Sequence, residues 1–249
     1  DVWGVFAAEG PGVRVEASPA AGRWVLHGTK PWCSLADRLD RALITAQLPA
    51  GGRGLFAIDL TDSRVTVDPA TDWVARGLVE LPSVPIHLDD CPAEPVGPAG
   101  WYLNRAGFAW GGMGVAACWL GGAIGVGRVL HASTRSREPD QIALMHLGAV
   151  DAALTGAAHL VVAAADAVDG GYACGAAGVL WAARVRAVVA SAVDTVLLRV
   201  GHALGPGPLV ADPDHARRVA DLQLYVRQHH AERDEAALGA LVRDHLAWP

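Results

Sequence analysis

The sequence predicts an α+β protein in which an antiparallel β-sandwich or barrel-like domain, residues 1–99, precedes a C-terminal four-helix bundle, residues 100–249. Before residue 100, short runs of Val, Ile, Leu and aromatic residues are separated by Gly, Pro and Asp, which is typical of strands. After residue 100, long Ala-rich stretches are typical of helices. Because the strands come first and the helices follow, the pattern does not predict alternating α/β units.

Six segments of the first half are predicted to be strands of the sandwich or small barrel. Turn-forming residues separate several of them, at residues 20–22, 49–52 and 61–63. The predicted strands are residues 2–7, 23–27, 41–47, 54–60, 64–67 and 84–88.

Four helices with short connections are predicted in the second half, which indicates an antiparallel bundle. The connections carry helix-ending and helix-starting residues: Asp140 can cap a helix, Gly170 can end one, and the Asp212-Pro213 pair can begin one. The predicted helices are residues 103–133, 140–169, 176–204 and 214–246.

The composition excludes two classes of protein. Hydrophobic residues make up 52% of the 249 residues and charged residues 18%, so the chain is too apolar to be disordered. The formal net charge is -6, and no cluster of Lys and Arg interrupts this negative background. A nucleic-acid-binding face is therefore not expected.

The low charge content raises the possibility of a membrane span. Residues 106–127 contain no charged side chain and are long enough to cross a bilayer. Their apolarity comes mostly from Ala and Gly, which a bilayer favours far less than Leu, Ile or Phe. Small residues let another helix approach closely, so a buried bundle helix is predicted here and not a membrane span.

Cysteine and histidine usage predicts neither disulfides nor a metal site. The four cysteines form no C-x-x-C pair, which is typical of reduced thiols in a cytoplasmic protein. His229 and His230 are adjacent, and neighbours on a helix point about 100° apart, so they do not converge on one ion.

Residues 24–37, WVLHGTKPWCSLAD, resemble a strand motif of the acyl-CoA dehydrogenase family: Gly, any residue, Lys, any residue, Trp, any residue, then Thr or Ser. The similarity continues in the same order along nearly the whole chain. The further matching segments are residues 37–46, 54–60, 85–97, 121–125 and 203–207, and the helix with Arg217, Arg218, Asp221 and Tyr225. This resemblance implies a middle β-domain followed by a C-terminal bundle, without the family's N-terminal helical domain.

The resemblance also implies a cofactor, FAD. Trp32 and Ser34 occupy the positions that lie against the flavin ring in the family. An indole can pack on the ring, and a hydroxyl can donate a hydrogen bond to it. The alternative is a Trp that fills the core of the first domain. Gly205 matches the family's Leu-Gly-Gly turn, and Arg135 or Arg137 stands in for the arginine that contacts the FAD diphosphate.

The sequence departs from the family at the catalytic base. Family dehydrogenases remove a proton from the carbon next to the thioester with a glutamate, and at that position this chain has His229. Some members place the glutamate on the first bundle helix, but residues 95–137 contain no Asp or Glu. Residues 230–233 also lack the Gly, Thr and Gln that follow the glutamate in the family.

Two interpretations of His229 remain at this point. An imidazole titrates near neutral pH and can serve as a base or a donor near a flavin, as in the flavin monooxygenases of the superfamily. Alternatively, the polar run of residues 227–235 is typical of a helix exposed to water, and this interpretation is the favoured one.

Three functions are compatible with these residues. The first is an FAD-dependent, acyl-CoA dehydrogenase-like oxidoreductase acting on an acyl thioester or a related small molecule. The second is a flavin-dependent monooxygenase, and the third is a non-catalytic partner subunit of a heteromeric enzyme. The apolar composition predicts that the bundle packs on sister subunits, as a homodimer, a homotetramer or a heteromer.

Overall fold

The computed structural model describes residues 1–136 and 138–243. The chain divides into two compact units, the first comprising Asp1–Arg105 and the second beginning at Ala106. The first unit is built of strands and the second of helices, so the α+β class is confirmed.

The first unit has seven strands in one sheet: β1 Trp3–Phe6, β2 Val15–Ala20, β3 Arg23–Ser34, β4 Arg41–Gln47, β5 Arg53–Asp59, β6 Val65–Val67 and β7 Ser83–Pro95. The sheet closes into a barrel, because the order β4–β2–β3–β7–β5 returns to β4 through the β4–β5 pairing. β1 pairs with β4, and β6 pairs with β7. A short helix, α1 Trp101–Asn104, ends this unit.

The barrel differs from the predicted antiparallel sheet in two respects. The pairings of β4 with β1 and with β2 are parallel, whereas the others are antiparallel. β2 was not predicted, because its sequence VEASPA contains few residues of high β-propensity. Its inward-facing residues Val15 and Ala17 are nevertheless buried with Phe6, Leu26 and Ile44 in the barrel core.

The second unit has three long helices, α2 Ala106–Ser136, α3 Gln141–Asp169 and α4 Gly175–Leu204, followed by α5 Gly207–Ala211, α6 Pro213–Tyr225 and α7 Glu232–Arg243. The three long helices begin and end within three residues of the predicted bounds. The Asp140 side chain caps α3 by accepting from the Ala143 amide, and Asp212 caps α6 in the same way.

The predicted fourth helix, residues 214–246, is wrong as one continuous element. α6 ends at Tyr225, a 3-10 turn covers Val226–Gln228, and α7 begins only at Glu232. Between them, Ala231 has a φ of 46°, which a helix does not allow. Residues 244–246 lie outside the described part of the chain.

The core of the second unit lies between α2, α3 and α4. α2 contributes Trp119 and Val126, and α4 contributes Val189, Val193 and Val196, all of them fully buried. All three long helices are long and apolar enough to cross a membrane, judged by length and composition only. α3 has the least buried apolar stretch of the three, since 17% of that stretch lies inside the structure.

Candidate functional site

Trp32 stands on a bulge in β3. The register with β7 shifts between Lys30, which faces Ile86, and Cys33, which faces Val84. One extra residue is therefore inserted on β3, as in a β-bulge. Trp32 lies in this bulge and has a φ of 60°, a left-handed conformation that is rare for a bulky aromatic residue. Its side chain is 57% exposed, so the interpretation as a core-filling Trp is wrong.

Ser34 lies two residues further along β3 and is also exposed, whereas Cys33 between them is buried. The Ser34 and Ser83 hydroxyls share a hydrogen bond of 2.8 Å, in which either can be the donor. The strand thus presents an indole and a hydroxyl on its outer side.

The bulge begins after Lys30, a charged residue whose side chain is buried and only 1% exposed. Its ammonium donates to the carbonyl of Thr45, at 2.9 Å, and to the Thr45 hydroxyl, at 2.8 Å. Burial lowers the pKa of Lys30 to about 8, and the nearby Glu9 carboxylate opposes this change. The Cys33 thiol donates to the Lys30 carbonyl, and burial raises the pKa of Cys33 to about 12. Sequence reasoning gave Lys30 no role, although it is the Lys of the matched motif.

His229 lies at the break between α6 and α7 in an extended conformation. Its side chain is 6% exposed, so the favoured expectation of a helix exposed to water is wrong. Burial lowers the pKa of His229, which keeps the imidazole neutral at pH 7. Its Nε2 atom has no hydrogen-bond partner among the described residues.

Asp234 and Arg186 hold the chain around this break. Arg186, on α4, donates to the carbonyl of Gln228 at 2.7 Å and lies 3.7 Å from the Asp234 carboxylate. Its guanidinium lies over the ring of Trp119, 4.8 Å from the centroid. Burial lowers the pKa of Arg186. The break is thus fixed by contacts with residues distant in the sequence.

A cavity of about 300 Å³ borders His229 and lies between α4 and the break. Its polar lining includes Ser191, Asp194 and Thr195 from α4, together with Arg227, which is ion-paired with Asp194. A buried neutral imidazole beside such a cavity can accept a proton or a hydrogen bond from a bound molecule.

The predicted diphosphate contacts lie elsewhere in the second unit. Gly205 is the C-cap of α4, with a φ of 62°, and Arg135 is exposed in the last turn of α2. Their chain neighbours Thr134 and Leu204 line one cavity of about 130 Å³, whose lining does not include His229. Arg137 lies outside the described residues.

Three basic side chains that the sequence did not single out lie on α3 and α4, where Arg199 also lies 4.0 Å from the sulfur of Met145, the neighbour of His146. The rings of His146 and His202 lie 6.1 Å apart, and Arg199 is one turn before His202. His146 Nδ1 and Arg199 Nε are buried and have no hydrogen-bond partner among the described residues. His146 and Arg199 are 53 positions apart and lie on different helices. A periodic sequence pattern within one helix could therefore not have revealed this cluster.

One further cluster joins His27 with Asp89 and Asp90 on the surface of the barrel, with their ligand atoms within 4.8 Å of one another. His27 Nδ1 lies 3.7 Å and 3.5 Å from the two carboxylates. All three side chains are exposed, and exposed acidic groups are common without a metal ion, so this arrangement does not by itself indicate a metal site.

The sequence matches no known family model and no curated protein. Solved structures with similar folds are known. An acyl-CoA dehydrogenase from Slackia heliotrinireducens has a TM-score of 0.82 and 18% identity over 97% of this chain and 66% of that chain. FMN-bound TdsC from a Paenibacillus species has a TM-score of 0.82 and 19% identity over 99% and 71% of the two chains.

A nitrososynthase from Micromonospora carbonacea is also similar, with a TM-score of 0.79 and 18% identity over 98% of this chain and 66% of that chain. The chain thus spans about two thirds of the length of these proteins. Its two units have the fold of the acyl-CoA dehydrogenase superfamily of flavoproteins.

Proposed function

We propose that the chain is the flavin-contacting part of an FAD-dependent oxidoreductase that acts on an acyl thioester or a related substrate. The observation that carries this proposal is Trp32, an exposed ring on a left-handed bulge within the matched motif. Unusual backbone conformations of this kind cluster at ligand sites, and an exposed indole suits a flat aromatic cofactor. Ser34 adds a hydroxyl, so the residues present fit a flavin ring.

A bound flavin supplies a two-electron acceptor, which no amino-acid side chain provides. In this proposal, Trp32 packs on the flavin ring and Ser34 donates a hydrogen bond to it. His229 removes the proton next to the thioester in place of the usual glutamate. Its place beside the cavity and its lowered pKa support that role, because a base must be within reach of its substrate and deprotonated at the working pH.

The visible absorbance spectrum of the purified full chain tests this proposal. We expect a bound flavin after incubation with FAD, bleached without oxygen by an acyl-CoA substrate. Trp32→Ala is expected to weaken flavin binding by tenfold or more, about 1.4 kcal/mol. The control is Trp3→Ala, because Trp3 is also an exposed Trp on a barrel strand. Without any flavin uptake the proposal is wrong, and a non-catalytic subunit becomes the better interpretation.

A flavin-dependent monooxygenase is the second candidate, and the histidine in the position of the family's base favours it. The similar structures include TdsC with FMN and KijD3 with FMN and a dTDP-linked amino sugar. For this candidate, the flavin band does not respond to acyl-CoA. Replacing His229 with Ala should then change the rate at which the reduced flavin reacts with oxygen.

We infer that the cofactor is FAD and not FMN from the basic cluster of His146, Arg199 and His202. FAD carries a diphosphate, and two of these side chains offer buried nitrogens without a partner. The Arg199 Nε–H is an unpaired buried donor, which is costly, so an anion that accepts from it is favoured.

The affinities of the protein for FAD and for FMN test whether this cluster binds the diphosphate of FAD. Arg199→Met is expected to raise the Kd for FAD by tenfold or more and to leave the Kd for FMN within twofold. Equal losses for both flavins, or tighter binding of FMN by the unaltered protein, would show that FAD is the wrong cofactor. Arg184→Met, on the same helix, is the matched control.

We further propose a cytoplasmic oligomer in which sister subunits, and not a membrane, cover the apolar helices. The fourth element of the proposed four-helix bundle is then α6 with α7. The richness of α2, α3 and α4 in Ala and Gly supports this proposal, because such residues favour close helix packing over insertion into a bilayer.

A further inference from the structure

The carboxylate of Asp234 connects the groups at the α6–α7 break. One oxygen, Oδ1, lies 3.2 Å from His230 Nδ1. The other, Oδ2, accepts from the His230 backbone amide at 3.2 Å and lies 3.7 Å from Arg186. The same Oδ2 lies 4.0 Å from His229 Nε2, too far for a hydrogen bond but within the range of an ion pair. Asp234 is thereby held in place by three groups while it faces His229.

Several of the other charged groups that face His229 form ion pairs with one another. On α4, Asp194 pairs with Arg227 of the break, and Arg186 lies beside Asp234. On α7, Glu235 follows Asp234 and is exposed. In the part of the chain that the structure describes, these groups and His230 are the other titratable groups around the ring. Among the described residues, only Asp234 places a carboxylate oxygen within ion-pair distance of His229 Nε2.

We propose that Asp234 is the positioning residue that lets His229 act as a base, by supplying the counter-charge when the buried ring becomes positive. The proposal rests on the function proposed above, in which His229 takes the substrate proton. In that step the substrate bond to hydrogen breaks, its electron pair stays on the substrate, and the proton joins Nδ1, the ring nitrogen opposite the buried Nε2 that faces Asp234. The ring charge changes from 0 to +1 while Asp234 stays at −1, and no redox change occurs at either side chain.

Asp234 does not need to carry the proton itself. Its pKa is lowered, because its own burial is outweighed by the hydrogen bonds from His230, so it remains a carboxylate throughout. A buried imidazolium without a counter-charge is costly, and a carboxylate about 4 Å away offsets much of that cost. Arg186 and His230 keep Asp234 from turning toward solvent.

The titration of His229 in the full chain, followed by NMR of the histidine side chains, tests this role without any activity measurement. Asp234→Asn is expected to lower the pKa of His229 by about one unit, a tenfold weaker affinity for the proton. Glu235→Gln removes the same charge from the next residue and should shift the pKa by less than a third as much. Asp234→Glu keeps the charge and should restore most of the shift.

An unchanged His229 pKa in Asp234→Asn, or an equal shift in Glu235→Gln, would overturn the proposal. If Asp234→Asn does not fold, Asp234→Ser removes the same charge with a smaller side chain, and an unchanged pKa of His229 in that variant would overturn the proposal equally. In turnover assays, Asp234→Asn should move the acidic limb of kcat/KM to lower pH. If His229→Gln keeps full turnover, the proposed base fails, whereas a shifted His229 pKa still supports the ion pair.

Discussion

The buried ammonium of Lys30 makes the stability of the barrel depend on pH. Its pKa is about 8 in the folded protein, against 10.5 for an exposed lysine. Above pH 8 the folded state therefore binds fewer protons than the unfolded state. The free energy of unfolding should then rise with pH from this residue, by up to about 1.4 kcal/mol between pH 8 and pH 9. The buried thiols of Cys33 and Cys91 oppose this rise from about pH 8 upward, because unfolded cysteine, with a pKa of 9.0, begins to ionise there.

Lys30→Met removes the titrating group and keeps a long side chain, so we expect its stability to lack this rise. Urea unfolding at pH 7.5, 8.2 and 9.0 measures the difference between the two proteins. Only the change with pH matters, because the substitution also alters packing. Parallel stability curves would mean that Lys30 titrates normally in the folded state.

The residues of the candidate site differ in how far the sequence alone reveals them. Trp32 and Ser34 follow from a local motif, because the spacing within one strand is read directly from the sequence. The burial of His229 depends on Arg186, 43 positions earlier, and no local pattern contains that contact. The polar run of residues 227–235 therefore predicted the wrong environment.

At the scale of the elements, the β2–β3 pairing depends on one close backbone approach. Gly28 has a φ of 116°, and a Cβ there would lie 2.3 Å from the carbonyl oxygen of Arg14. That carbonyl accepts from the Thr29 amide, so it cannot move away without breaking the bond. Gly28→Ala is expected to cost about 3 kcal/mol or more, since it combines a backbone clash with a conformation that alanine disfavours.

Gly22→Ala is the matched control for this prediction. Gly22 also has a positive φ, 79°, but a Cβ there meets nothing within 4 Å. The cost should be only that of the backbone conformation, about 1 kcal/mol. Thermal unfolding monitored by circular dichroism measures both variants. Equal destabilisation of the two would show that the close approach to Arg14 has no energetic importance.

The long helices are the elements whose bounds the sequence pattern predicts well. α3 and α4 were predicted to within one residue, because long Ala-rich stretches end at Gly or Asp. β2 was missed because only Val15 and Ala17 face the core, and two positions do not establish a period of two. Short elements that depend on their neighbours for burial are thus the ones that sequence patterns fail to reveal.

At the scale of the whole molecule, the low charge content and the exposed apolar helices both indicate contact with another chain. Charged residues are only 18% of the chain, and α3 exposes Ile142, Leu144 and Val162 over its length. Only 17% of the apolar stretch of α3 lies inside the structure, and extensive exposed apolar surface usually marks a contact with another chain. We therefore expect the protein to be a dimer or a larger oligomer, with α3 in the contact.

Val162→Lys tests this contact at an α3 side chain that is 59% exposed. Within an interface, the unpaired ammonium would lose its hydration, so the variant should shift to a smaller mass by light scattering while keeping its helix content. Val74→Lys provides the control, because Val74 is exposed in the first unit and should leave the mass unchanged. A monodisperse monomer for the unaltered chain, or equal masses for all three proteins, would show that α3 is not covered by a sister subunit.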